Sequence, residues 1–192
     1  MKNKTECRQC IDSNCMKYVG RELNDMQIVP FEGGTADTQK LFSFFLHKAP
    51  NIESSHSRSI PDIIKQNEIF ELMMQDRHFV YHRFCWFNAV IDKELQKGYL
   101  NGERVCLKCK RYVCKKKKTS KKESQESDLD CFLRHIRNAI AHGRVFFYHA
   151  GNKVHIVFED KNTSGNISAR IVCIKADLEH WKKVLSNPNN YL

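Results

Sequence analysis

A change of period partway along the chain constrains the fold more than any other feature. Between Leu129 and Ile140 the apolar residues Leu129, Phe132, Leu133, Ile136 and Ile140 recur at steps of three and four, the pattern of a helix with one buried face. Gly143 stands where such a helix ends. Beyond it the repeat falls to two, in Val145 to Tyr148, then Val154, Ile156 and Phe158, then Ala169, Ile171 and Cys173. Turn residues at Asn152 and at Thr163-Ser164-Gly165-Asn166 separate these runs, so a three-stranded antiparallel meander is expected. Leu178, Trp181 and Leu185 then space a short closing helix.

Upstream, Leu41, Phe44 and Phe45 place a helix over Thr38 to His47, closed by Ala49-Pro50 because the residue before proline disfavours helical backbone. Asn51 to Arg58 reads as a loop. Ser59, Pro61 and Asp62 make a helix start, followed by Ile60, Ile63, Ile64, Phe70 and Met74 at helical spacing. Val80, Phe84, Phe87, Ile91 and Leu95 extend a further helix from Arg77 to Gly98. The expected organisation is a polar, cysteine-containing arm over residues 1–37 and a main domain over 38–192, with a Cys- and Lys-rich insertion at about 99–127. The fold class is mainly α: a helical bundle carrying a small antiparallel meander near the C-terminus, α+β overall.

Charge and cysteine content bound the function. The 192 residues hold 32 Lys and Arg against 22 Asp and Glu, a net +10 that favours a polyanionic partner such as RNA. Twelve Phe and six Tyr supply enough apolar surface for a folded core. No apolar run approaches the roughly 18 to 20 residues of a membrane span, and the first thirty residues carry charges rather than an apolar signal core. Nine cysteines, several in Cys-x-x-Cys pairs, suit a reducing cytoplasmic setting better than a closed disulfide framework.

The chemistry concentrates in Leu133-Arg134-His135-Ile136-Arg137-Asn138-Ala139-Ile140-Ala141-His142-Gly143-Arg144. On a helical wheel Asn138, Ala141 and His142 point away from the apolar stripe and Arg137 lies on its flank. His142 falls in the last turn and can carry a proton; Arg137 offers a permanently charged planar fork suited to phosphate oxygens; Asn138 adds a donor and an acceptor. Together they can bind a phosphodiester and move protons. Five residues on a helix nevertheless set Arg137 and His142 about 140° apart. They converge only if the helix loosens near Gly143 or a second subunit completes the site.

The Arg137-Asn138-x3-His142 pattern resembles the Arg, four to six residues, His motif of the HEPN superfamily. The surrounding Leu133 to Arg144 segment, Ile156-Val157-Phe158-Glu159-Asp160, the Ser168 to Ile174 strand and Ala176-Asp177-Leu178 are similar to plasmid- and phage-defence-associated members. The resemblance implies a helical bundle that dimerises so that two motifs face one another, and a metal-independent endoribonuclease of toxin or defence type. In that chemistry the ribose 2′-hydroxyl attacks the adjacent phosphate, leaving a 2′,3′-cyclic phosphate and a 5′-hydroxyl. Carried onto this chain, His142 transfers the proton, Arg137 stabilises the phosphorane and Asn138 orients a partner or phosphate. Arg134, His135 and Arg144 are auxiliary RNA-binding candidates, and an antitoxin or defence protein is an implied partner. Some members of the superfamily are noncatalytic nucleotide-, RNA- or protein-binding modules, the alternative reading.

Two basic or cysteine-rich features lie outside this motif. Cys7, Cys10, Cys15 and Cys106, Cys109, Cys114 repeat one spacing, and Cys7, Cys10, Cys106 and Cys109 could close a four-sulfur structural zinc site tying arm to insertion, against the alternative of reduced thiols without metal. Such a site would suit a zinc-stabilised nucleic-acid-binding regulator, a third reading. Cys85, Cys131 and Cys173 fall at apolar or helical positions and are expected to be buried thiols. Lys115, Lys116, Lys117 and Lys118 are either a solvated loop or an RNA-guiding arm whose contribution falls with salt.

Overall fold

The computed structural model of the chain describes residues 20–22, 26–28, 35–48, 60–75, 79–84, 104–106, 110–115 and 126–187. Its strands are β1 (Gly20–Glu22), β2 (Gln27–Ile28), β3 (Val80–Phe84), β4 (Arg104–Cys106), β5 (Arg111–Lys115), β6 (Val145–Ala150), β7 (Lys153–Lys161) and β8 (Ile167–Ile174). Its helices are α1 (Ala36–Ser43), which runs into a π-helical turn (Phe44–Lys48), then α2 (Ile60–Met74), α3 (Asp128–Ala141) and α4 (Lys175–Ser186). Six strands form one sheet in the order β2-β6-β7-β8-β5-β3, and β1 pairs with β4 in a separate ladder. Within the large sheet only β3 and β5 run parallel.

The meander stands as expected in β6, β7 and β8 and the fold is α+β overall as expected, but the meander is the middle of a wider sheet, so the share of sheet is larger than a mainly α bundle would have. Two misread stretches explain the difference. Val80–Phe84 is a strand, not the start of a helix: a step of four, as from Val80 to Phe84, returns to the same side of a strand as well as of a helix, so that spacing alone does not separate the two. The rest of the helix expected up to Gly98 lies outside the described residues. Arg111–Lys115 falls inside the stretch read as an exposed insertion, yet it is an internal strand between β8 and β3, with Tyr112, Val113 and Cys114 fully buried. Its flanking charges hide a short buried run. The arm is likewise partly incorporated: β2 extends the sheet beside β6, Met26 packs on Phe146, Val157 and Val172, and β1 joins the arm to the insertion through β4.

Strand alternation divides the sheet into two faces. Tyr112, Cys114, Val145, Phe147, Ile156, Phe158, Ala169, Ile171 and Cys173 face the helices and form the main core with Phe42, Phe45, Phe70, Met73, Phe132, Ile136 and Trp181. Trp181 of α4 stacks edge-on against Phe132 of α3, and its indole N–H donates to the Met73 carbonyl of α2 at 3.0 Å, so one residue ties three helices together. The helix α3 is the centre of this layer, with β7 and β5 on one side and α2 and the π-helical turn on the other.

Local chemistry starts α3 where it does. The Ser127 hydroxyl accepts from the Asp130 N–H at 3.0 Å, and Asp128 and Asp130 place negative charge at the positive end of the helix dipole. The Asn67 side chain of α2 accepts from the Asp128 N–H at 2.9 Å, fixing the start of α3 against its neighbour.

Candidate active site

The C-terminal tip of α3 is closed by a paired set of hydrogen bonds. Gly143 N–H donates to Ile140 O at 3.1 Å and Arg144 N–H to Ala139 O at 2.8 Å, the nested pattern of a Schellman cap. Gly143 takes φ +64°, left-handed backbone that a side chain rarely adopts. The cap satisfies carbonyls that would otherwise be orphaned and leaves His142, the C-cap residue, exposed at the turn into β6.

The helix stays regular up to this point: His142 N–H donates to Asn138 O at 3.0 Å, the ordinary four-residue step. The backbone departs from helical geometry at His142 itself, which takes φ −95° and ψ 10°. Arg137 is half-buried and His142 exposed, about 140° apart on an ideal helix.

Asn138 is held from below. Its Nδ2 donates to Asp160 Oδ2 of β7 at 3.2 Å, and the same oxygen lies 2.6 Å from His135 Nδ1. Asp160 and His135 are both buried, so the carboxylate anchors two residues of α3 to the sheet. Burial alone would raise the Asp160 carboxyl, but hydrogen bonds from His135 and Asn138 outweigh it and hold the group below its usual value. Burial alone would lower His135, and the Asp160 hydrogen bond reverses that and raises it. The two form a charged pair inside the protein. Beside them the β7–β8 register slips at Asp160/Lys161, and the Ser168 hydroxyl donates to the Asp160 carbonyl at 3.2 Å.

The auxiliary candidates are placed differently from a surface set. His135 is only 1% exposed. Arg134 is half-buried and grips Glu126 through Nε–Oε1 at 2.6 Å and Nη2–Oε2 at 3.1 Å. Arg144 pairs with Glu159, whose other oxygen accepts from Arg170 Nη2 at 2.6 Å. Burial would push the Glu159 carboxyl up; the Arg170 charge, then Arg144, brings it below its usual value. Lys115 ends β5, while Lys116, Lys117 and Lys118 lie outside the described residues.

The sequence reading missed Asp160, Glu159 and Arg170 as site-building residues. The available signal was a pair of carboxylates at the end of an otherwise apolar strand, which must find cationic partners if the strand is internal. Of the proposed zinc ligands, Cys106 sits in β4 opposite Gly20 of β1, and Cys7, Cys10 and Cys109 lie outside the described residues. Cys131 and Cys173 are buried free thiols as expected, and Cys85 lies outside the described residues.

A family model described as HEPN pEK499 p136 matches residues 64–186, from within α2 to the end of α4. The chain therefore belongs to this HEPN family. Membership points in general to a nuclease or nucleotide-binding module that interacts with RNA or another nucleic acid. No curated protein and no solved structure matches the chain. Among the described residues no helix is long and apolar enough to cross a membrane.

Proposed function

We propose that the chain is a cytoplasmic, metal-independent endoribonuclease of toxin or defence type, active as a homodimer. The observation that carries this reading is His142, exposed on a rigidly capped helix tip with Arg137 and Asn138 one turn behind it. In this reading a twofold arrangement sets Arg137 of one copy beside His142 of the other, residues about 140° apart on an ideal helix of either chain.

In the proposed step the 2′-oxygen attacks the adjacent phosphorus as its proton passes to the His142 imidazole. The bond from phosphorus to the 5′-oxygen breaks, and a proton returned to that oxygen gives the 5′-hydroxyl and a 2′,3′-cyclic phosphate. Arg137 holds the added charge on the phosphorane, and Asn138, fixed by Asp160, orients the phosphate. The net charge of +10 supplies salt-sensitive attraction to RNA, with Lys115 to Lys118 as its guiding arm. A neutralising antitoxin or defence partner would cover the same tip.

Incubating RNA with the wild-type chain and with a folded His142→Ala variant tests the proposal. Cyclic-phosphate ends are expected from the wild type, with a loss of about 100-fold or more in the variant. RNA binding without cleavage by either protein would assign the chain to the noncatalytic HEPN modules.

A further inference from the structure

The core between β5 and the N-terminal half of α3 holds a second constellation that the proposed reaction does not use. Cys114 of β5 and Cys131 and His135 of α3 each direct one potential ligand atom into a common space, all within 4.8 Å of one another. The two sulfurs lie 3.5 Å apart. With zinc–sulfur bonds of about 2.3 Å, the sulfur–sulfur edge of a tetrahedral site is about 3.8 Å, so the thiols already stand near ligand spacing. The Tyr112 hydroxyl donates to Cys131 Sγ at 3.4 Å.

From these contacts we infer that Cys114, Cys131 and His135 form a buried structural site for one zinc ion, stapling β5 to α3. Two sulfurs and an imidazole are the donors that select zinc over magnesium or calcium. Two thiolates balance the charge of the ion. The surroundings fit a second layer around such a centre: Asp160 engages His135 Nδ1 at 2.6 Å and orients the ring, which would be neutral with zinc bound. Arg134 Nη2 lies 3.7 Å from Cys131 Sγ as a donor to the thiolate, its own charge offset by Glu126. Cys114 and Cys131 are fully buried, so the ion enters as the chain folds. The site is distinct from the one suggested by Cys7, Cys10, Cys106 and Cys109, and it takes no part in the phosphodiester chemistry.

The test uses the full chain with Cys7, Cys10, Cys106 and Cys109 all replaced by Ser, expressed in cobalt-supplemented medium and purified under reducing conditions. One cobalt per chain is expected, with thiolate-to-cobalt charge transfer and tetrahedral ligand-field bands. Cys114 and Cys131 should resist alkylation until the metal is stripped in denaturant. Adding Cys131→Ser should abolish the charge-transfer signal, but the core-intact quadruple variant already decides the matter. Absence of tightly held cobalt in it, cobalt without charge-transfer bands, or recovery of a Cys114–Cys131 disulfide would each overturn the inference.

Discussion

His135 and His142 stand seven residues apart on one helix, almost in line along its axis, yet one is buried and the other exposed. The difference lies in what the sheet offers below each. Under His135, β7 supplies Asp160 and the imidazole becomes half of an internal ion pair; His142 comes at the cap, where α3 turns away into β6. The same side chain is thus a structural anchor at one end of a stripe and a presented group at the other. Burial, not residue type or helical phase, separates the two roles.

The comparison predicts a steep gradient of stability along α3. Asp160→Ala, which leaves the His135 imidazole and the Asn138 amide without their acceptor, should cost about 3–5 kcal/mol in urea unfolding. Gly143→Ala should cost about 1–2 kcal/mol, because φ +64° strains the new side chain although nothing stands within 4 Å of its Cβ. Ser127→Ala, at the opposite end of the helix, should lose about 1 kcal/mol through the missing cap. His142→Ala should change stability by less than about 0.5 kcal/mol. A His142→Ala variant as damaged as Asp160→Ala would erase the distinction between anchor and presented group.

The pH dependence of unfolding sharpens the same contrast. In the metal-free protein His135 is raised above its ordinary 6.5, so its stabilisation is present below that value and is lost as pH rises through the folded one. Asp160 is lowered from its ordinary 3.8, so its stabilisation is present above that value and is lost as pH falls through the folded one. Stripped of metal, the protein should therefore be supported by the pair most between pH 3.8 and 6.5, with thermal midpoints falling on either side. Asp160→Asn should flatten this profile, whereas His142→Ala should leave it in place.

Much of the fold was legible where one period ran unbroken. The helix from Asp128, the meander of β6 to β8, the closing helix around Trp181 and the start of α2 near Pro61 all follow from spacing and caps. The strands β3 and β5 were not, because Val80 and Phe84 satisfy both periods and because Tyr112 to Cys114 is too short a run to show among lysines and arginines. Burial of His135 escaped for a related reason. A wheel assigns a helix one buried face, whereas α3 is covered by the sheet on one side and by helices on the other, so Cys131 and His135 are interior despite lying off the apolar stripe. The Arg137, Asn138 and His142 pattern was legible as a motif, while its support by Asp160 depends on a contact 22 residues away.

The account rests on Arg137 of one copy serving His142 of another. Folded Arg137→Ala and His142→Ala proteins, each expected to be inactive alone, should be refolded together in equal amounts and assayed for RNA cleavage. Half of the resulting dimers would be mixed, each with one intact pairing out of two, so about one quarter of wild-type activity should return. A mixture that remains inactive while mixed dimers form would contradict a site shared between copies.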